Sequence, residues 1–158
     1  VYKKVESSME EICKTPDSED IDIWVRPETT GKPTQWGDLE EIVKLSKDFK
    51  QVLPCVDFSH LHARTNGLYN TYDDFCNIFE TIGKEIGDYA LENFHAHIAG
   101  IEYGPKGEKK HLMLKESDMN YQDLLKAFKK FNVKGVVVCE SPIMEEDAVL
   151  LKEYYLSL

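Results

Sequence analysis

The chain has 158 residues, 42% of them hydrophobic and 30% charged, and a formal net charge of −10. That length and balance suit one ordinary globular domain with a sizeable core. They exclude a membrane-spanning bundle, since no apolar run approaches the roughly 20 residues a bilayer demands, and they argue against broad, non-specific nucleic-acid binding, which cationic surface drives.

Taken in order, Lys3 to Lys14 place Val5, Met9, Ile12 and Cys13 at helical spacing, and Pro16 with the acidic run after it predicts the end of that helix. Ile21, Ile23 and Val25 alternate as a short strand ending at Arg26-Pro27-Glu28. A turn-rich loop follows, and Asp38 to Phe49 reads as a second helix. Gln51 to Val56 is the next strand, which turns abruptly polar with Asp57, His60, His62 and Arg64. After a polar and aromatic loop, Phe75 to Ile86 is a third helix, closed by Gly87. Asn93 to Tyr103 is predicted as one strand, with His95 and His97 on one face. The basic run Gly104 to Lys110 reads as a loop, Tyr121 to Phe131 as a fourth helix, Gly135 to Cys139 as a strand ending on Glu140, and Glu145 to Tyr155 as the last helix.

A helix followed by four strand–helix units implies a parallel sheet with helical crossovers. Either an open doubly wound sheet or part of a (β/α)8 barrel fits, and a whole barrel takes about 250 residues and eight strands. The strand ends favour the barrel. Glu28, Asp57, the pair His95 and His97, and Glu140 all fall at the carboxyl end of such a sheet. In a flat sheet they would spread over roughly 15–20 Å, whereas a barrel mouth brings them together. The expected fold is therefore α/β, of the TIM-barrel type, with about half a barrel in residues 1–158 treated as a single domain.

Oxygen and imidazole donors without thiolate suit Zn²⁺, with Mn²⁺ or Mg²⁺ as alternatives, and a carboxylate-rich site with several histidines holds two or three ions. Clustered carboxylates also inflate formal negative charge that bound ions reverse locally, so a metalloenzyme acting on nucleic acid stays open. The Gly104–His111 run is either a solvated lysine-rich loop or a phosphate-contacting segment, with Lys109 and Lys110 as cations and His111 as an extra ligand. Arg64 and Asn66 are candidates for contact with phosphate or sugar. The four cysteines, Cys13, Cys55, Cys76 and Cys139, form no C-x-x-C pair, and Cys55 and Cys139 sit in strand-like runs as small hydrophobes. A reduced, cytoplasmic protein is expected. No signal-peptide pattern opens the chain, which begins at Val1 rather than Met, so a preceding segment is expected to have been removed.

Arg26-Pro27-Glu28-Thr29-Thr30-Gly31 with Gly37, Val56-Asp57-Phe58-Ser59-His60, Phe94-His95-Ala96-His97 and Val138-Cys139-Glu140 together resemble the endonuclease IV family of apurinic/apyrimidinic endonucleases. The Asp-x-x-His step is the most specific piece. The succession Glu, Asp, His, Glu is shared with the wider xylose-isomerase-like superfamily. The resemblance spans nearly the whole chain and corresponds to strands five to eight of that family's barrel. It implies a zinc-dependent hydrolase in DNA repair that cleaves 5′ to abasic sites. Glu28, Asp57, His60, His95 or His97, and Glu140 would be zinc ligands, with Glu28 and Glu140 as the catalytic carboxylates that hold or bridge ions around the attacking hydroxide. The chain departs from the family where an Asp-x-His pair is expected, reading Glu108-Lys109-Lys110-His111 instead. A divalent-metal sugar isomerase or epimerase acting on a small sugar is the alternative, and a decayed barrel that binds a partner is the third reading. Four strands that do not close leave unpaired edges, so self-association through them is expected where no other half is present.

Overall fold

In the computed structural model, which describes residues 1–16 and 18–158, the apolar runs and amphipathic stretches become a parallel sheet with helical crossovers. Helix α1 spans Tyr2–Glu19 and runs past the stop expected at Pro16. Proline gives up its own N–H but keeps its carbonyl, and here that carbonyl accepts from the N–H groups of both Asp20 and Ile21 as Asp20 turns left-handed at φ 54°. The predicted strand at Ile21–Val25 is not a regular one. The segment touches the sheet through two isolated parallel bridges, Val25 with Val52 and Glu28 with Cys55. Pro27 and Pro54 remove ladder donors on both sides of this seam, which explains the irregularity.

Helix α2 (Leu39–Asp48) starts on a reciprocal cap between Asp38 and Glu41. Strand β1 is only Cys55–Asp57, because Pro54 precedes it, and helix α3 (Phe58–Arg64) follows at once where the sequence suggested a polar tail. Asp57 caps that helix. Helix α4 (Tyr72–Glu85) opens on a Thr71–Asp74 box, and the short α5 (Asp88–Glu92) leads into β2 (Phe94–Ile98).

The single strand expected from Asn93 to Tyr103 breaks at Ala99. There Ser59 Oγ accepts from the Ala99 N–H at 2.8 Å and donates to its carbonyl at 2.9 Å, pulling the chain out of the sheet. Strand β3 (Gly100–Gly104) then pairs antiparallel with β4 (Gly107–Leu112), so the basic loop is a β-hairpin. Two glycines make it fit. A Cβ at Gly100 would fall 2.4 Å from the Met113 carbonyl oxygen, and Gly107, at φ 91°, lies against the Gly31 carbonyl. Helix α6 (Tyr121–Lys130), strand β5 (Gly135–Cys139) and helix α7 (Met144–Ser157) complete the chain.

The sheet order is β1-β2-β5, all parallel, with the 25–28 segment beside β1. Alternation sorts the two faces. Phe94, Ala96 and Ile98 are buried towards the helices, while His95 and His97 face the other way and are partly exposed. The outer edge of β5 has no partner strand among the described residues. Val136, Val137 and Val138 stay 55%, 45% and 37% exposed, although GVVVC is as apolar as any run in the chain. No helix among the described residues is long and apolar enough to cross a membrane.

The core on the helix side is organised around Phe58, 1% exposed, whose ring lies 5.7–6.3 Å from those of Phe75, Phe79, Phe94 and Phe128. This one side chain ties α3 to the sheet and to two crossover helices. Phe58→Ala is expected to cost about 3–5 kcal/mol, read as a lowered urea midpoint at unchanged slope.

Candidate metal centre

The register of the sheet places the site. On the face opposite the helices, Asp57 pairs with His97, His97 pairs with Val138, and Glu140 N–H bonds the Ile98 carbonyl at 3.1 Å. Glu28 lies on the other side of β1, bridged to Cys55. Ligand atoms of Glu28, Asp57, His97 and Glu140 all lie within 4.8 Å of one another. A second group shares Asp57 and adds His60 and His111 within the same limit.

His60 is the hinge between these groups. Its Nδ1 sits 2.9 Å from the Thr29 carbonyl, 3.2 Å from Glu28 Oε1 and 3.4 Å from Asp57 Oδ2, and its Nε2 is 3.1 Å from Glu108 Oε2. The position follows from local structure. Asp57 Oδ1 accepts from the His60 N–H at 2.7 Å, starting α3 so that the imidazole turns back over its own cap. His111 lies with its ring 5.6 Å from that of His60, and its Nδ1 is 3.1 Å from the Glu140 carbonyl.

Glu108 reaches the site through an irregularity. Glu102 pairs with Lys110, but Tyr103 pairs with Glu108, so Lys109 is an extra residue bulged from β4. Residues three apart on a regular strand face opposite sides. The bulge restores Glu108 and His111 to the same side, and both approach His60. Residues three apart here share a face, as residues two apart do on a regular strand.

Several buried atoms here have no hydrogen bond. Among the described residues, Asp57 Oδ2, His97 Nδ1 and Glu108 Oε2 are buried without one. His97 Nδ1 is 3.4 Å from Glu28 Oε1 and 3.3 Å from Glu140 Oε1, near enough for attraction but not directed for a hydrogen bond. Asp57 and His97, each with an unpaired buried atom, belong to one group with Glu28 and Glu140, and such atoms fit a cation, which accepts a lone pair from each. Oxygen and imidazole donors suit Zn²⁺, Mn²⁺ or Mg²⁺.

The electrostatics agree. Burial pushes the Asp57 carboxyl up to about 6, against the opposing charge and N–H of His60. Burial alone would lower His60, but its hydrogen bond to Glu28, the Asp57 charge, the Thr29 carbonyl and Glu108 outweigh that and raise it to about 9. Glu28 is held below the usual carboxylate range, chiefly by His60. A metal-free site of this kind keeps a proton on His60 to offset its carboxylates.

The remaining candidates divide. His95 joins Cys55 and His97 rather than the carboxylates, and burial lowers its pKa. Arg64 donates to the Thr30, Lys32 and Gln35 carbonyls, so its guanidinium is spent holding the 30–35 loop. Asn66 turns left-handed at φ 54° where α3 ends, its N–H on the Ala63 carbonyl. Lys109 and Lys110 pair with Glu102 at 3.0 and 3.6 Å, and both line an open cleft of about 320 Å³ with Lys32, His60, Glu108 and His111. Two residues were not assigned a role from sequence: Cys55, and His62, which is fully buried and holds Asp118 at 3.0 Å and the Tyr69 carbonyl at 3.1 Å.

A pH dependence follows from His60. Its folded pKa lies above the unfolded 6.5, so its contribution to stability is complete below pH 6.5 and lost as pH rises through about 9. The metal-free protein is therefore expected to lose thermal stability across that window. Divalent-ion affinity should rise across it, because the His60 proton must leave. Melting curves with and without chelator, and calorimetry in buffers of different ionisation enthalpy, read both effects.

Against known proteins, the family model described as xylose isomerase-like TIM barrel matches residues 1–154. The chain is also similar to the uncharacterized protein MJ0133 of Methanocaldococcus jannaschii, with 45% identity over 154 residues, which cover 98% of this chain and 56% of the relative. The chain thus spans about half the length of the curated relative it matches. With the parallel sheet, the crossover helices and a family match over nearly its whole length, this chain belongs to the xylose isomerase-like TIM-barrel family.

Proposed function

We propose that the protein is a metal-dependent phosphodiester hydrolase of the endonuclease IV type, cleaving DNA 5′ to abasic sites. One observation carries the reading. Beside the group Glu28–Asp57–His97–Glu140 lies a second, Asp57–His60–His111, with Glu108 against His60. One ion suffices to polarise a sugar carbonyl or hydroxyl, whereas displacement at phosphorus benefits from ions on both the attacking and the leaving oxygen. Zn²⁺ is the expected ion, two or three in number, with Mn²⁺ or Mg²⁺ as substitutes. Bound there, such ions lower the pKa of water and neutralise charge on a phosphoryl oxygen.

The chain's own groups contribute around them. Glu28, Asp57, His97 and Glu140 would hold one ion, and Asp57, His60, Glu108 and His111 another. Lys32, Lys109 and Lys110 line the cleft beside the second group and draw a phosphate backbone towards it, although the net charge of the chain is negative.

The sugar isomerase or epimerase reading rests on the four-ligand group alone, which is sufficient for one ion. The two separate in a direct assay. Full-length, metal-replete protein is expected to incise a duplex with a single abasic site, to lose that activity on chelation, and to leave small ketoses unchanged. No incision would discard the hydrolase reading, and ketose conversion would replace it with the isomerase.

In this reading the chain is the second half of a barrel, and the activity belongs to a completed one. For this chain by itself, the exposed edge at Val136–Val138 and the exposed Ile21, Ile23 and Trp24 are surfaces for a second copy. Solution mass is expected to show a dimer, and a stable monomer would sink that pairing.

A further inference from the structure

Below the carboxylates the same face of the sheet carries a group of different chemistry. Ligand atoms of Cys55, His95 and His97 lie within 4.8 Å of one another. Backbone pairing fixes this juxtaposition. Cys55 stands directly opposite His95 across the β1–β2 ladder, and His97 follows His95 by two residues on the same face. Cys55 is 4% exposed.

The next strand shows what these positions ordinarily hold. Val136 lies opposite His95 and Val138 opposite His97, the branched aliphatics that fill the layers of a barrel interior. At the same levels β1 and β2 present a thiol and two imidazoles. Ordinary packing does not require that exchange, and His97 Nδ1, beside Glu28 and Glu140, is buried without a hydrogen bond.

We propose that Cys55, His95 and His97 form a further ion site, selective for a thiophilic divalent ion such as Zn²⁺ and sharing His97 with the carboxylate group above it. One sulfur and two nitrogens match the donor preference of Zn²⁺, Co²⁺ or Cd²⁺ and reject Mg²⁺ and Ca²⁺, which take oxygen. Three protein ligands leave a fourth tetrahedral position open. Because His97 belongs to both groups, a thiophilic ion held at Cys55 draws that imidazole away from Glu28 and Glu140. The lower site therefore competes with the upper one. Binding exchanges the Cys55 proton for the metal, with no change of oxidation state.

Cobalt substitution tests this without reference to activity. Metal-free protein titrated with Co²⁺ near neutral pH should develop the near-ultraviolet charge-transfer band of a cobalt thiolate. Excess Zn²⁺ or Cd²⁺ should abolish it and excess Mg²⁺ should not. Cys55→Ser and His95→Ala, each checked for a wild-type far-ultraviolet circular dichroism spectrum, should both lose the band. His95 is the more exposed of the two, so His95→Ala remains a test where Cys55→Ser fails to fold. The proposal is overturned by an absent band in cobalt-saturated protein, which would place the ion among the oxygen and nitrogen donors alone, or by a band that survives Cys55→Ser or His95→Ala.

Discussion

Asp57 is the constraint on which both the fold and the site depend. It is 1% exposed, and a carboxylate that deeply buried has to be satisfied from several directions. Its backbone N–H donates to Thr29 Oγ1 at 2.9 Å, and its carbonyl accepts from the same hydroxyl at 3.2 Å, which sews the irregular Glu28 segment to β1. Its Oδ1 caps α3 through the His60 N–H. Only Oδ2 is left, and it faces the shared space without a hydrogen bond. One residue thus ends a strand, starts a helix and aims a lone pair at a cation, so any shift of the cap would also shift His60.

The same economy explains why a cluster of carboxylates around one buried member is tolerated. Glu28, Asp57, Glu108 and Glu140 bring negative charge together, Asp57 buried and the others partly exposed, and the chain as a whole already carries −10. Without a cation a proton on His60 offsets that charge, which is the physical meaning of its raised pKa, while burial raises Asp57. A divalent ion does the same work with directed bonds to several partners, and it satisfies atoms that protons leave orphaned. Stability of the metal-free fold and affinity for metal consequently pull His60 in opposite directions as pH rises.

How much of this was legible in the sequence varied with the range of the interaction. Alternating apolar and amphipathic runs carry the α/β order, since burial on one face acts every two or every 3.6 residues. The Asp57-x-x-His60 step is equally local, because a cap and the residue three beyond it are neighbours in any helix start. What the sequence obscured were features decided by distant partners. The strand from Asn93 breaks at Ala99 because Ser59, forty residues earlier, takes both its backbone groups. The Ile21–Val25 run looks like a strand, but Pro27 and Pro54 leave its seam with β1 only isolated bridges. Pro16 looks like a terminator, yet its carbonyl still serves two donors.

The hairpin shows most clearly why spacing alone misleads. Glu108 and His111 are three apart, and regular alternation would put them on opposite faces of β4. A bulge at Lys109 changes the count by one, and with it the side on which every later residue falls. The sequence records that insertion only as an unremarkable second lysine. Gly100 and Gly107 are its visible traces, since without them the hairpin could not close against Met113 and Gly31. A ligand pair read from strand periodicity is therefore only as secure as the register behind it. Here the register is set by two glycines and a serine rather than by the ligands themselves.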